Sequence, residues 1–246
     1  MARLPRLYAP RVPQLVQARF ARPLAPADAP APAAALDRIG GWLAEETGRA
    51  AATPNAGNAG SAAIAGTVAL HAWVVLPDRI TLLATPGDET ALSRLMQALG
   101  RRMGSGLVRA RVYAGRYRNA LLEPGRWVLP AMIWLESLPV STGQVGAATQ
   151  WPWSSAAEHA GLSSGGARPI LTDHPDYWRE GDTPFARQAA WRNRLAAGPG
   201  ESQSLPIEAA LSGQWALGEK IFLTHLGRLA SRRVSPAPRG RPRKES

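Results

Sequence analysis

The chain has 246 residues, 45% of them hydrophobic, and a formal net charge of +11 at pH 7. It contains no cysteine, which excludes disulfide bonds, a thiolate nucleophile and cysteine-ligated zinc. No apolar run approaches the roughly 20 residues of a membrane helix, and no apolar signal core accompanies the N-terminal arginines. We therefore expect a soluble, cytoplasmic protein that does not bind membranes.

The excess of positive charge predicts a polyanionic partner. Lysine and arginine number 29 against 18 acidic residues, and a protein this basic attracts nucleic acid whatever its fold. A GC-rich genome produces a similar arginine-rich and alanine-rich composition. Charge alone therefore leaves nucleic-acid binding and a merely compositional bias as alternatives.

The four histidines do not predict a metal site. They are scattered along the chain without an HxH pair or an i, i+4 pair, so only the fold could assemble them into a cluster. Isolated core or surface histidines are the simpler interpretation. The four are His71, His159, His174 and His225.

The first quarter of the chain predicts one strand and one helix. Val12 to Phe20 alternates apolar and polar residues, as a half-buried strand does. Leu24 to Ala35 alternates alanine and proline, which is typical of an extended connector. Apolar residues at helical spacing follow from Leu36 to Arg49, and Thr53 to Gly60 reads as a loop.

The next elements are a hairpin, a helix, a strand and a helix. Val68 to Leu76 and Ile80 to Ala84 are apolar, β-branched runs separated by Pro-Asp, which predicts paired strands. Asp88 to Arg102 has an amphipathic helical period with Asp88 as its N-cap. Asn119 to Leu122 predicts a strand, and Pro124 to Leu138 a helix that begins with proline.

This order predicts an α+β fold, a ferredoxin-like antiparallel sheet with helices on one face. The composition changes at Trp151, after which a helix over Thr183 to Leu195 and a last helix from Glu208 or Trp215 to Leu229 are predicted. We divide the chain into a sheet domain (residues 1–150), a C-terminal helical extension (151–230) and a basic disordered tail (231–246). Trp151 and Trp153 are expected to dock the extension rather than to bind ligands.

Four collinear blocks carry a family resemblance. They are LSRLMQALGRR (Leu92 to Arg102), GRYR (Gly115 to Arg118), WPWSS (Trp151 to Ser155) and PRGRPRK (Pro238 to Lys244). With the opening MARLPR and the LHAWVVLP before the hairpin turn, they resemble the REP-associated tyrosine transposases of the HUH class. The resemblance implies a ferredoxin-like fold and DNA transposition by transesterification, with a tyrosine nucleophile and two histidines that hold Mg²⁺ or Mn²⁺.

The chain departs from this family at each catalytic position. The family's hairpin turn reads approximately MPNHVHLL, where this chain has LPDRITLL, so Arg79 and Thr81 stand at the two histidine positions. The family's YIELNPV corresponds to WLESLPV, which places Trp134 at the tyrosine. Arginine and indole offer no lone pair to a metal or a phosphorus atom. The resemblance thus implies vestigial positions, no metal cofactor and a catalytically defective DNA-binding protein.

Two alternatives remain open at this point. Tyr113 or Tyr117 could substitute as the nucleophile, with His71 as a metal ligand, in an active transposase. The chain could also be a decayed remnant without function.

The resemblance and the charge together indicate where DNA would bind. Single-stranded or hairpin DNA is the expected partner, and a homodimer is one candidate assembly because relatives often dimerise. RGRP in the tail matches the core of an AT-hook, which inserts arginines into a narrow minor groove; an unspecific basic tail is the alternative. The DNA-binding candidates are Arg94, Arg101, Arg102, Arg116, Tyr117 and Arg118 in the body, and Arg239, Arg241, Arg243 and Lys244 in the tail.

Overall fold

A four-stranded antiparallel sheet lies at the centre of the fold. The computed structural model describes residues 5–24, 32–51, 67–108, 111–162 and 168–236. The strands are β1 (Gln14–Arg19), β2 (Val68–Leu76), β3 (Arg79–Pro86) and β4 (Arg118–Leu121). They lie in the order β2-β3-β1-β4, and each neighbouring pair is antiparallel. With one helix between β1 and β2 and another between β3 and β4, this is the predicted ferredoxin-like α+β fold.

The predicted hairpin forms the best-packed part of the sheet. β2 and β3 pair from Val68 opposite Pro86 to Leu76 opposite Arg79, with one register irregularity between Leu70 and Ala72. From Ala69 onward every residue of β2 is buried. A strand covered on both faces needs apolar side chains at consecutive positions, which explains the nearly unbroken apolar run VALHAWVVL.

Two helices cover one face of the sheet. α1 (Pro32–Ala51) packs on β2, where a Cβ atom at Gly40 would lie 3.9 Å from Cη2 of Trp73. α2 (Ala91–Met103) packs beside α1 through its apolar stripe. The predicted N-cap of α2 is wrong by two residues: Thr90 is the N-cap, and Asp88 accepts a hydrogen bond from the Thr90 backbone at 2.8 Å. A π-helical turn, Gly104–Val108, then continues α2 where the sequence predicts its end.

The third helix corrects the expectation that all helices share that face. α3 (Val128–Ser141) packs on β2 and β3 and on α7 (Glu201–Gly213), which in turn contacts β4 and β1. Asn119 shares a sheet face with Trp73, on which α1 packs, because the register places the two in one row across the four strands. The preceding residue, Arg118, points to the other face, where it donates to Ser212 of α7. α3 and α7 therefore cover the face opposite α1 and α2. The physical reason is that β2 and β3 are apolar on both faces, and an almost entirely buried α3 fills the second layer.

The C-terminal region consists of further helices, as predicted. α4 (Ala156–His159), α5 (Pro175–Trp178) and α6 (Pro184–Ala197) precede α7, and α8 (Lys220–Leu229) follows it. The helix predicted over Thr183 to Leu195 is confirmed as α6, and the Thr183 side chain caps it by accepting from the Ala186 backbone. For the predicted last helix, a single helix from Glu208 is wrong, because Gln214 adopts a left-handed φ of 57° and ends α7, whereas the alternative start at Trp215 lies five residues before the first residue of α8.

The C-terminal region also completes both edges of the sheet. Residues 153–155 pair with the outer edge of β2, and Trp151 donates from Nε1 to the Val75 carbonyl at 2.9 Å. At the other edge, Leu217 exchanges backbone hydrogen bonds with the residues at the end of β4. The docking role expected of Trp151 follows from this contact. The boundary at residue 150 stays a prediction, since side chains from both sides of it share one core.

Among the described residues, no helix is both long and apolar enough to cross a membrane. The RGRP segment, with Arg239, Arg241, Arg243 and Lys244, and the predicted loop from Thr53 to Gly60 lie outside the described residues.

Candidate nucleic-acid interface

An open cleft of about 770 Å³ lies between α2 and the segment that leads into β4. Four arginines and two tyrosines are among its lining residues, and none of the described residues that line it is acidic. Such a concentration of guanidinium groups produces a positive potential that attracts phosphates. These side chains are Arg6, Arg101, Arg111, Arg116, Tyr113 and Tyr117.

The N-terminal segment contributes Arg6, which is held in place by Tyr117. The guanidinium carbon lies 3.8 Å from the centre of the Tyr117 ring, and Nη1 donates to Ser93 at 3.2 Å. Burial lowers the pKa of Arg6, with Tyr117 raising it and Arg116 lowering it further. Arginine nevertheless stays protonated in proteins, so a partly desolvated positive charge lines the cleft.

Arg111 is oriented by the backbone of the segment that leads into β4. Its Nε donates to the Tyr113 carbonyl at 2.9 Å and its Nη2 to the Ala114 carbonyl at 2.7 Å. Two hydrogen bonds from a planar guanidinium fix the direction of the whole group. Less side-chain freedom would therefore be lost if Arg111 bound a phosphate.

The two tyrosines of the cleft support it and are poorly suited to nucleophilic attack. Tyr113 donates to the Met96 carbonyl at 3.1 Å and packs against Gly100. Tyr117 shares a 3.1 Å hydrogen bond with Ser93, and its ring is buried beneath Arg6. Burial raises the pKa of Tyr113 and, despite Ser93 and Arg6, that of Tyr117. The buried Tyr117 ring thus offers a nucleobase little surface for stacking.

His71 is not positioned as a partner for these tyrosines. Its ring nitrogens lie 2.6 Å from the Thr172 carbonyl and 2.8 Å from the Thr85 hydroxyl. Burial lowers its pKa to about 4, although the bond to Thr172 opposes this shift. No group of three or more potential metal ligands occurs in the part of the chain that the structure describes.

The structure gathers only some of the body residues predicted to contact DNA. Arg101, Arg116 and Tyr117 line the cleft. Arg94 instead forms an ion pair with Asp88 at 2.8 Å, and Arg102 pairs with Glu45 and Glu46 of α1. Arg118 donates to Ser212 on the α7 side of the sheet.

Arg6 and Arg111 were missed by the sequence analysis. Arg6 stands 87 residues before its partner Ser93, and nothing in its local sequence indicates that the N-terminal segment folds back over α2. Arg111 had a weak signal, since it lies two residues before Tyr113 in an alternating Arg-x-Arg-x-Tyr pattern.

The three positions matched to the family's catalytic residues have separate partners. Arg79 makes a forked ion pair with Asp78 at 2.7 Å, and Thr81 accepts from Gln17 at 3.2 Å. Trp134 donates from Nε1 to Glu208 at 3.2 Å. Arg79 and Thr81 are two residues apart on β3, so both side chains lie on the sheet face that α3 covers. No hydrogen bond in the described residues joins Trp134 to either of them.

No family model matches the chain, and no curated protein matches it. A solved structure of the REP-associated tyrosine transposase bound to a REP hairpin is similar to this chain, with 13% identity, coverage of 70% of this chain and 100% of that chain, and a TM-score of 0.48.

Proposed function

We propose that this protein binds DNA, in single-stranded or hairpin form, through the basic cleft, and that it does not form a covalent bond with the DNA. The observation that supports this is the cleft itself: four arginines converge on it from three separate segments, and no described lining residue is acidic. The resemblance of the sequence blocks to the REP-associated tyrosine transposases suggests DNA rather than RNA.

The chemistry of the three family positions supports the second half of the proposal. A tyrosine transposase needs a hydroxyl nucleophile and a divalent cation held by two imidazoles. Arg79 brings a permanent positive charge, Thr81 is a weak ligand, and the indole of Trp134 is a donor only. The nearby tyrosines do not replace the nucleophile readily, because burial raises the pKa of both hydroxyls and so makes the attacking phenolate harder to form.

The test of binding is a titration of a labelled hairpin oligonucleotide at several salt concentrations. On a log–log plot the affinity should fall with a slope of roughly 0.7 for each phosphate neutralised in a single-stranded part of the hairpin and roughly 0.9 for each phosphate neutralised in its duplex stem. Arg101→Ala and Arg111→Ala should each lower both the affinity and that slope. Arg194→Ala is the matched control, because Arg194 lies on α6 and pairs with Glu180, and it should bind like the unmodified protein.

Two results would contradict the proposal. Binding without salt dependence, or no binding at all, would contradict the proposed binding of DNA. It would favour the alternative that the chain is a decayed remnant without function. A band that survives denaturing electrophoresis and depends on Mg²⁺ or Mn²⁺ would show covalent chemistry, and would favour an active transposase with substitute residues.

A further inference from the structure

The N-terminal segment that brings Arg6 to the basic cleft is held by β4 and by the C-terminal region. Leu7 and Ala9 are completely buried and alternate with Arg6 and Tyr8, which are only partly buried. Nδ2 of Asn119, on β4, donates to the Leu7 carbonyl at 2.7 Å. Leu7 and Ala9 share a small apolar cluster with residues of β4, of α8 and of the segments that flank α8: Leu121, Ala216, Leu226 and Val234.

Ser231, two residues after the end of α8, joins this segment through three hydrogen bonds. Its N–H donates to the Tyr8 carbonyl at 2.8 Å, and its hydroxyl accepts from the Tyr8 N–H at 3.0 Å. The same hydroxyl donates to the Arg6 carbonyl at 2.9 Å. A serine hydroxyl has one donor and two acceptor positions, so this one side chain ties the backbone on both sides of Leu7.

The residue that Ser231 holds by its carbonyl is the one whose side chain lines the cleft. The Arg6 guanidinium reaches the cleft by stacking on Tyr117 and donating to Ser93. Residues 5–13 form neither helix nor strand, so contacts with other elements determine where the Arg6 backbone lies. An arginine on a loose backbone would lose more conformational freedom when it bound a phosphate. The position of this charge is therefore coupled to the residues that follow α8.

We propose that Ser231 is a positioning residue for DNA binding, which keeps the Arg6 guanidinium in the basic cleft by tying the N-terminal segment to the C-terminal region. The inference rests on the proposed binding of DNA by the cleft. Ser231 itself contacts no phosphate in this arrangement and acts through Arg6. The C-terminal region then contributes to DNA binding through its contacts with the N-terminal segment, apart from the charges of the basic tail.

Hydrogen exchange of the Tyr8 amide, followed by NMR in the full chain, tests the tie without DNA. Ser231→Pro removes the N–H and the hydroxyl together, and Ala230 already has the extended conformation (φ −77°, ψ 147°) that a residue before proline prefers. Ser231→Ala removes the hydroxyl alone. Each variant deletes the acceptor of the Tyr8 N–H, so exchange should be roughly tenfold faster or more.

Two matched variants and a folding check accompany this measurement. Ser231→Thr keeps a hydroxyl at the same position and should retain slow exchange of the Tyr8 amide. Thr224→Ala removes an exposed hydroxyl whose hydrogen bond, to the Lys220 carbonyl, lies within α8, and it should leave that exchange unchanged. Circular dichroism confirms that each variant is folded.

Titration of the labelled hairpin at several salt concentrations tests the effect on the cleft. Arg6→Ala should lower the log–log slope by roughly 0.7 to 0.9, the loss of one phosphate contact. Ser231→Pro should lower the affinity and the slope in the same direction, by up to that amount. Because Ser231 acts through Arg6, the double variant Arg6→Ala/Ser231→Pro should bind like Arg6→Ala alone. A merely structural serine would leave the slope unchanged and add its own loss in the double variant.

The two measurements separate the ways in which the inference fails. An unmodified chain without salt-dependent hairpin binding would remove the proposed function, and this inference with it. Where that binding is present, unchanged Tyr8 exchange in folded Ser231→Pro and Ser231→Ala would show that Ser231 does not hold the segment. Faster exchange with an unchanged slope, or losses that add to those of Arg6→Ala, would show that Ser231 does not position Arg6. Either result would overturn the inference while the proposed function stands.

Discussion

Removal of the Glu136 carboxylate should be among the most destabilising single changes in this protein. Glu136 is completely buried between α3 and the C-terminal helices. It accepts hydrogen bonds from His159 Nδ1 at 2.6 Å, from Trp191 Nε1 at 2.8 Å and from the Ser155 hydroxyl. Glu136→Ala would leave two buried donors, of His159 and Trp191, without this acceptor and a cavity where the side chain was, while the Ser155 hydroxyl would keep only its 3.3 Å hydrogen bond to the Trp73 carbonyl.

The size of the effect follows from this geometry. Breaking a buried ion pair by removing one partner costs about 3–5 kcal/mol. For a chain of this length, each kcal/mol lowers the melting temperature by roughly 2–4 °C. Glu136→Ala should therefore melt about 6–20 °C below the unmodified protein. Glu136→Gln retains one acceptor oxygen, so its melting temperature should lie between those of Glu136→Ala and the unmodified protein.

Thermal and urea unfolding, followed by far-ultraviolet circular dichroism, measure this loss. Glu201→Ala, at an exposed position of α7, is the control and should change the free energy of unfolding by less than about 0.5 kcal/mol. A loss below about 1 kcal/mol for Glu136→Ala would refute the idea that this buried carboxylate organises the contact between α3 and the C-terminal helices.

Two further outcomes can be checked by unfolding measurements. Burial alone would lower the pKa of His159, but Glu136 raises it above its ordinary value through charge and a hydrogen bond. The stabilisation linked to this raised pKa is complete below about pH 6.5 and is lost as pH rises through the folded-state pKa. The melting temperature should therefore fall as pH rises from about 6.5 through the folded-state pKa of His159. A melting temperature that does not change with pH there would contradict this expectation. Gly41→Ala in α1, where an added Cβ meets nothing within 4 Å, should stabilise by up to about 1 kcal/mol. Gly100→Ala should destabilise, because its Cβ would lie 2.8 Å from the Tyr113 ring; equal stabilisation by both substitutions would contradict the packing argument.

The sequence predicted the sheet well because its signals are local. The hairpin of β2 and β3 is marked by two apolar runs and the Pro-Asp turn between them, and each lies within a few residues of its prediction. The face on which α3 packs could not be predicted. Its residues are buried on nearly every side, so its apolar pattern does not distinguish one sheet face from the other.

The candidate site was predictable only in part, for a related reason. Arg101 and Arg116 belong to elements whose positions the sequence indicates. Arg6 reaches the cleft through contacts with Ser93 and Tyr117, which are distant in sequence. The ion pairs that occupy Arg94 and Arg102 also depend on tertiary contacts, so the sequence could not separate these arginines from those that line the cleft.

The backbone contacts at the two sheet edges bear on solubility and assembly. Exposed edge strands present unpaired N–H and C=O groups that invite other chains to add. Here residues 153–155 cover the outer edge of β2, and Leu217 covers the end of β4. A homodimer of the intact chain would therefore need a surface other than these covered edge segments. A fragment that ended before Trp151 would expose both edges together with the apolar face under α7, and its fate in solution would be aggregation.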